Sequence, residues 1–412
     1  MTDATGVSFL SYRRNRSNEA ALIVGSQRDR GIPTWQDISD LSCTLTEEEL
    51  RRVLSNPDTA SATMFVTPEV KESSVIRNVE APLIVERHLA KDGFVAIIVA
   101  AGGLDYADMY SVVGMGVGPA YIPAWNVCKV KQNPIEDEDA GRIADLMLDH
   151  RLAASAVQLK ADQPFNLAFS TRSPLMKKPG AVISADLLHR FDGRLAKPGA
   201  WEQFILPGLR SIRTALQKRA SNREFHLSGQ ICLPAAVALG AEFLSVSGLR
   251  AKWVQDLTTF GGKQELWGLD VAPTKTVFAA QSVPAKTDAT ALALIVSVTH
   301  NIMDDVRACF EANFPFRALV HVHNHGSNGE GARVQLSAAE GVQIAHLAVD
   351  ALREARSTYK VRGSVHLFLA VPAGLAFMIG QLLNGFGDVQ TYEHMPTQKQ
   401  CYVPAALLLP SM

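Results

Sequence analysis

Ser73 and Glu80 stand seven residues apart in the stretch SSVIRNVEAP. On a helix that spacing places two side chains on nearly one line. Val75, Ile76, Val79, Pro82 and Leu83 form an apolar face, and Glu80 falls at its edge beside Ile76. Pro82 has no N–H to offer the carbonyl of Asn78, so the helix is expected to deform next to Glu80. A carboxylate held between core and water at a helix irregularity is a candidate catalytic group. Glutamates at helix edges are also common surface residues, so these residues alone leave both readings open.

A second cluster lies in HVHNHG, where His321, His323 and His325 alternate. A strand would turn all three to one face. Such a face suits a metal only with a carboxylate and an open position. No HExxH-type motif accompanies it, so a strand end lining a ligand pocket is the expectation, with no metal. Further on, a buried strand runs into Pro372 and a helix of small residues containing Gly380. A helix N-terminus at a strand's carboxyl end favours anions.

The elements that must position these groups alternate. VSFLSY, PTWQDI, SATMFVTP and FVAIIVA read as strands. Between them, SNEAALIVGSQRDRG reads as a helix capped by Ser17 and closed by Gly31, and TLTEEELRRVLSN as one with a Thr46–Glu49 capping box. Strand–helix alternation with near-continuous apolar strands predicts a parallel sheet covered on both faces, with ligands at the strands' carboxyl ends. From about residue 222 the α/β pattern returns in EFHLSGQICL, ALALIVSVT, RALVHVHNH and GSVHLFLAVP, with a Ser337–Glu340 capping box opening a long helix. The expected organisation is residues 1–150, a connector over 151–200, and residues 201–412.

With 412 residues the chain exceeds a single core. Its apolar share is 47% and its charged share 20%, the balance of a globular protein. Forty basic and 41 acidic residues leave a net charge of −1, which excludes a general grip on long nucleic acid while allowing a local basic pocket. The five cysteines are widely spaced without C-x-x-C, which fits a reducing cytoplasm. No apolar run of spanning length and no signal-type start is present, so no membrane association is expected.

Phe9-Leu10-Ser11-Tyr12-Arg13, then Asp37 closing the second strand, then Ser73 followed by Glu80, give residues 5–130 an order that resembles a TIR domain. That resemblance implies a flavodoxin-like parallel sheet. In NAD-cleaving members the glutamate of this motif is catalytic, and the match transfers that role to Glu80. Phe9, Ser11, Tyr12, Arg13, Arg14, Trp35, Asp37 and Ser73 would line the NAD site, with Arg13 and Arg14 toward phosphate and Trp35 or Tyr12 toward a ring. The chemistry suits one carboxylate. Nicotinamide is already a cationic leaving group and needs no acid, while the ribose gains positive charge that a fixed carboxylate stabilises.

The strand with H-x-F (His366 to Phe368), Pro372, GQLLN and YEH, together with residues 227–255, resembles SAVED domains, sensors related to CARF domains. Two CARF-like (Rossmann-like) α/β units are implied. SAVED domains bind cyclic oligonucleotides made by a partner nucleotidyltransferase in anti-phage signalling (CBASS), and cyclic tri-adenylate is the expected activator. Phosphate donors and stacking surfaces for it are sought among Arg250, Lys252, Trp253, His321, His323, Arg333, His366 and Phe368.

Together the two resemblances imply a cytoplasmic TIR–SAVED effector. Ligand would drive head-to-tail assembly into a filament, and the assembled TIR domains would cleave NAD+ to nicotinamide and ADP-ribose. A non-enzymatic TIR scaffold, or a cyclase making cyclic ADP-ribose, is the alternative.

Overall fold

The run TASATMFV, apolar or small at every position, folds as a strand buried along its whole length, as expected for a strand covered on both faces. It is β3 (Thr59–Val66) in a sheet with β1 (Val7–Ser11), β2 (Thr34–Trp35), β4 (Val95–Ala100) and β5 (Val127–Lys129). The order is β2-β1-β3-β4-β5, and every neighbouring pair is parallel. This computed structural model describes residues 1–35, 46–113, 127–175, 177–257, 263–311, 314–324, 336–396 and 402–409.

The chain divides into two units. The first comprises Met1–Ala168, Pro174–Leu187 and Thr214–Ser221. Its strand order reverses between β1 and β3, the place where a doubly wound sheet opens a crevice at its carboxyl ends. The helix after β1 spans Ser17–Asp29; Ser17 is its first residue and Arg16 occupies the cap position, so the expected serine cap is displaced by one residue. Gly31 follows with φ of 74°, a left-handed conformation that glycine adopts without penalty. The helix Thr46–Ser55 begins where its capping signal lay. Residues 151–200 contain the end of the helix Asp137–Gln158 and the strands Phe165–Ser170 and Ala181–Asp186.

The second unit comprises Phe169–Ser173, Leu188–Arg213 and Asn222–Met412. Here Glu224–Gln230 pairs in parallel with Arg250–Asp256, which pairs antiparallel with Gln264–Trp267. A six-stranded sheet follows, in the order Phe278–Pro284, Phe316–Asn324, Ala291–Ser297, Val365–Ala370, Val389–His394, Tyr402–Leu408. Its four inner strands are parallel and its two edges antiparallel. The helices Leu233–Glu242 and Ala373–Gln381 approach so closely that a Cβ on Gly380 would lie 2.3 Å from the Val237 carbonyl oxygen, and one on Gly240 2.1 Å from that of Phe377. The expected Ser337–Glu340 box is formed in both directions. Among the described residues no helix is long and apolar enough to cross a membrane.

Candidate functional site

In the first unit the chemistry gathers at the carboxyl end of β1. Ser11, the last residue of that strand, donates its hydroxyl to Glu80 Oε2 at 2.5 Å. Both side chains are buried. Glu80 ends a π-helical turn, Ile76–Glu80, in which the N–H of Ala81 reaches back five residues to the carbonyl of Ile76; the α-helix Ala81–Leu89 continues from it. The deformation expected from Pro82 is therefore present. π-turns inside helices concentrate at functional sites.

The extra residue of that turn re-phases the helix. Val75, expected on the apolar face, is 38% exposed, whereas Glu80, expected at the edge, is only 8% exposed. Ile76, Val79, Ala81, Ile84 and Val85 enter the core around it. Ser73 accepts the N–H of Ile76 on its hydroxyl at 3.3 Å, and its carbonyl accepts that of Arg77. Both bonds tie Ser73 to the start of the turn that carries Glu80.

The remaining residues of this set are placed unequally. Phe9 is buried and stacks on Trp35, ring centroids 5.1 Å apart, so Trp35 packs onto the core through that face. Tyr12 is buried beside Ser11 in sequence. Arg13 is half-buried with its Nε lacking a hydrogen-bond partner among the described residues, and Arg14 is exposed at the start of a short 3-10 turn. Asp37 lies outside the described residues. Sequence reasoning missed Arg16, which bridges Glu19 at 2.9 Å and Glu69 at 2.7 Å. Its spacing from Glu19, three residues along a helix start, was the available signal.

In the second unit the two described histidines of HVHNHG share a face as the alternation requires, rings stacked 4.5 Å apart. His321 is buried and its Nε2 lies 2.9 Å from Ser297 Oγ, which also accepts the N–H of Ile302. Burial, then the neighbouring His323, push the His321 imidazole down to about 4. His366 hydrogen-bonds Tyr392 through Nδ1 at 2.7 Å and Ser364 through Nε2 at 3.1 Å, and burial pushes it to about 4 as well. These two histidines are neutral acceptors or donors near neutral pH and supply no positive charge for a phosphate.

Three of the expected contacts take a structural place instead. Trp253 is 2% exposed with its ring against Phe377. Phe368 is fully buried and stacks on Tyr392 at 4.5 Å. Lys252 is engaged by Asp270 at 2.8 Å and Glu224 at 3.1 Å. Burial opposes its charge, but those carboxylates hold its ammonium above the ordinary range. Arg250 is exposed and donates to the Asn222 carbonyl at 2.6 Å. Arg333 and His325 lie outside the described residues.

One charge cluster among the described residues of this unit was not anticipated. Arg172 and Arg194 both donate to Oε1 of the buried Glu393, at 2.5 and 3.1 Å. They lie 221 and 199 residues from it in the chain, and only Glu393, in YEH, belonged to a motif. Beside it His394 and His300 bring their rings within 6.5 Å. Among the described residues no group of three or more His, Cys, Asp or Glu could hold a metal ion.

Residues 209–408 match the family model described as "SMODS-associated and fused to various effectors sensor domain", SAVED. CD-NTase-associated protein 4 of Enterobacter hormaechei subsp. hoffmannii is 26% identical over 214 residues, 50% of this chain and 40% of that protein. The chain thus matches well under half the length of that relative. Among solved structures, the Acinetobacter baumannii Cap4 SAVED/CARF-domain containing receptor with the cyclic trinucleotide 3′3′3′-cAAA aligns over 90% of this chain and 86% of its own, with 13% identity and a TM-score of 0.49. The Moraxella osloensis Cap4 receptor aligns over 89% and 86%, with 14% identity and a TM-score of 0.43.

Proposed function

We propose, from the premise that residues 209–408 carry a SAVED sensor domain, that this chain is an NAD+-cleaving effector switched on by a cyclic oligonucleotide. The first unit supplies the enzyme. The observation that carries this is the buried Glu80 carboxylate, set on a π-turn and fixed by Ser11 at the carboxyl end of a parallel sheet. The flavodoxin-like order of that sheet supports the TIR reading.

In this mechanism the C–N bond between ribose and nicotinamide breaks with its electron pair leaving on the nicotinamide, which departs neutral. Positive charge develops on the ribose, and Glu80 stabilises it across a buried, low-dielectric gap. Ser11 fixes which carboxylate oxygen faces the sugar. Water then adds to the anomeric carbon and loses a proton, giving ADP-ribose. Arg13, whose Nε lacks a partner among the described residues, suits the diphosphate. The second unit binds the activator, with cyclic tri-adenylate as the first candidate. Binding favours head-to-tail assembly, which brings neighbouring catalytic units into a competent arrangement.

The test is nicotinamide release from NAD+ by the full chain, alone and with a panel of cyclic di-, tri- and tetranucleotides. Release with one ligand and silence without it is the expected result. Binding of a ligand with no release under any condition refutes the enzyme and leaves a TIR scaffold. Chromatography of the second product separates hydrolysis from cyclisation.

A further inference from the structure

The Arg172–Arg194–Glu393 cluster has the chemistry of an anion site filled from within. Two guanidinium groups spend their Nη2 atoms on the same oxygen, Oε1, so a single negative charge answers two positive ones. Each arginine contributes one side-chain bond to the carboxylate, from a guanidinium that carries five N–H donors. Arg172 is further set by its Nη1 bond to the Arg194 carbonyl at 3.0 Å. Its side chain is 25% exposed and that of Arg194 is 55% exposed, while that of Glu393 is 7% exposed. The cations therefore face solvent and the carboxylate backs them.

The surroundings favour an anion. Thr171, next to Arg172, accepts the N–H of Cys232 at 2.8 Å, and Cys232 caps the ten-residue helix Leu233–Glu242. The Cys232 thiol is pushed up to about 11 by burial and next by the charge of Glu393, with Arg172 opposing. The positive end of that helix thus lies within electrostatic reach of the cluster. Ser173, next to Arg172 in sequence, donates to Gln230 Oε1 at 2.9 Å, and Gln230 is the last residue of its strand.

We infer that Glu393 is an internal competitor of the activating ligand: in the resting protein its carboxylate occupies the Arg172–Arg194 site, and a phosphate of the cyclic oligonucleotide displaces it. A phosphodiester, like the carboxylate it replaces, offers two anionic oxygens to the pair of guanidinium groups. The competitor sets the ligand concentration at which the sensor switches, because apparent affinity scales with the fraction of sites that are open. This rests on the sensor reading above.

The experiment measures binding of the panel of cyclic di-, tri- and tetranucleotides, 3′3′3′-cyclic tri-adenylate first, to the full chain by calorimetry at one salt concentration, with melting curves for every variant; the variants are compared on the ligand that wild type binds. Glu393→Gln keeps the shape and removes the competing charge, and is expected to bind about tenfold tighter, as for a site open about a tenth of the time. Arg194→Ala is expected to bind at least about tenfold weaker, the cost of one charge-assisted contact. A folded Glu393→Gln that binds no tighter than wild type overturns the competitor. If Glu393→Gln does not fold, Arg194→Ala decides, and unchanged affinity there overturns the proposal. Wild type that binds no cyclic oligonucleotide at all overturns the sensor reading and this one with it; wild type that binds while the variants do not differ overturns this one alone.

Discussion

Replacing Glu80 by glutamine and Ser11 by alanine separates a catalytic carboxylate from a merely buried one. Glu80→Gln is isosteric, and its amide oxygen can still accept the Ser11 hydroxyl that now sits 2.5 Å from Oε2. Folding stability should therefore change by less than about 1 kcal/mol, a neutral hydrogen bond replacing a charged one. The charge that opposes the ribose cation is lost outright. Removing one preorganised stabiliser of transition-state charge costs about 100-fold to 1,000-fold in rate, roughly 3–4 kcal/mol. Ser11→Ala behaves in the opposite sense. It removes one donor from the buried Glu80 carboxylate, at about 1–3 kcal/mol of stability, or roughly 2–12 °C in melting temperature for a domain of this size. The charge remains, so the rate should fall only about tenfold through loss of orientation. Both are read by nicotinamide release at saturating activator, paired with thermal melts. A structural Glu80 predicts activity that simply follows the folded fraction in both variants. Glu80→Gln retaining more than about a tenth of wild-type activity refutes the assignment.

Three further outcomes are expected. Pro82→Ala restores an N–H to the helix beside the π-turn; it should raise the melting temperature slightly and lower nicotinamide release about tenfold or more, because the relaxed turn swings Glu80 away from Ser11. Gly380→Ala places a methyl group 2.3 Å from the Val237 carbonyl oxygen; urea unfolding of the second unit should show a loss of about 1–3 kcal/mol, and ordinary stability would show that the helices separate freely. His321 titrates near 4 in the folded chain against an unperturbed 6.5, so between those values the unfolded state binds the extra proton. Its contribution is complete above pH 6.5 and is lost as pH falls toward 4, by up to about 3 kcal/mol. Urea unfolding at pH 7 and pH 4.5 should show a smaller acid loss in His321→Asn than in wild type, and equal losses would exclude His321 as the source.

Local patterns were readable in the chain where a property repeats along one element. The all-parallel first sheet follows from strands that are apolar throughout, and the shared face of His321 and His323 follows from alternation. The Ser337–Glu340 box is a contact over three residues. What depended on distant partners was hidden. Lys252, Trp253 and Phe368 read as ligand contacts because their types suit phosphates and bases. Asp270 and Glu224 claim the first, and burial claims the rings. Nothing near Arg172 or Arg194 announces a carboxylate about 200 residues away.

Glu80 shows how a correct signal can still mislead on geometry. Pro82 marked the helix as irregular, and the irregularity is present. Yet the wheel used to place Glu80 at an edge assumed the regular turn that Pro82 prevents. With one residue added to the turn, Val75 rotates outward to 38% exposure and Glu80 inward to 8%. An ordinary α-helical turn would have left the carboxylate at the boundary with water, where its charge is screened. Buried, with Ser11 as donor, the carboxyl group is held in one orientation, and in the proposed mechanism its charge would act through a lower dielectric. In the proposed mechanism the proline would matter to the chemistry for the reason that it defeats the helical wheel.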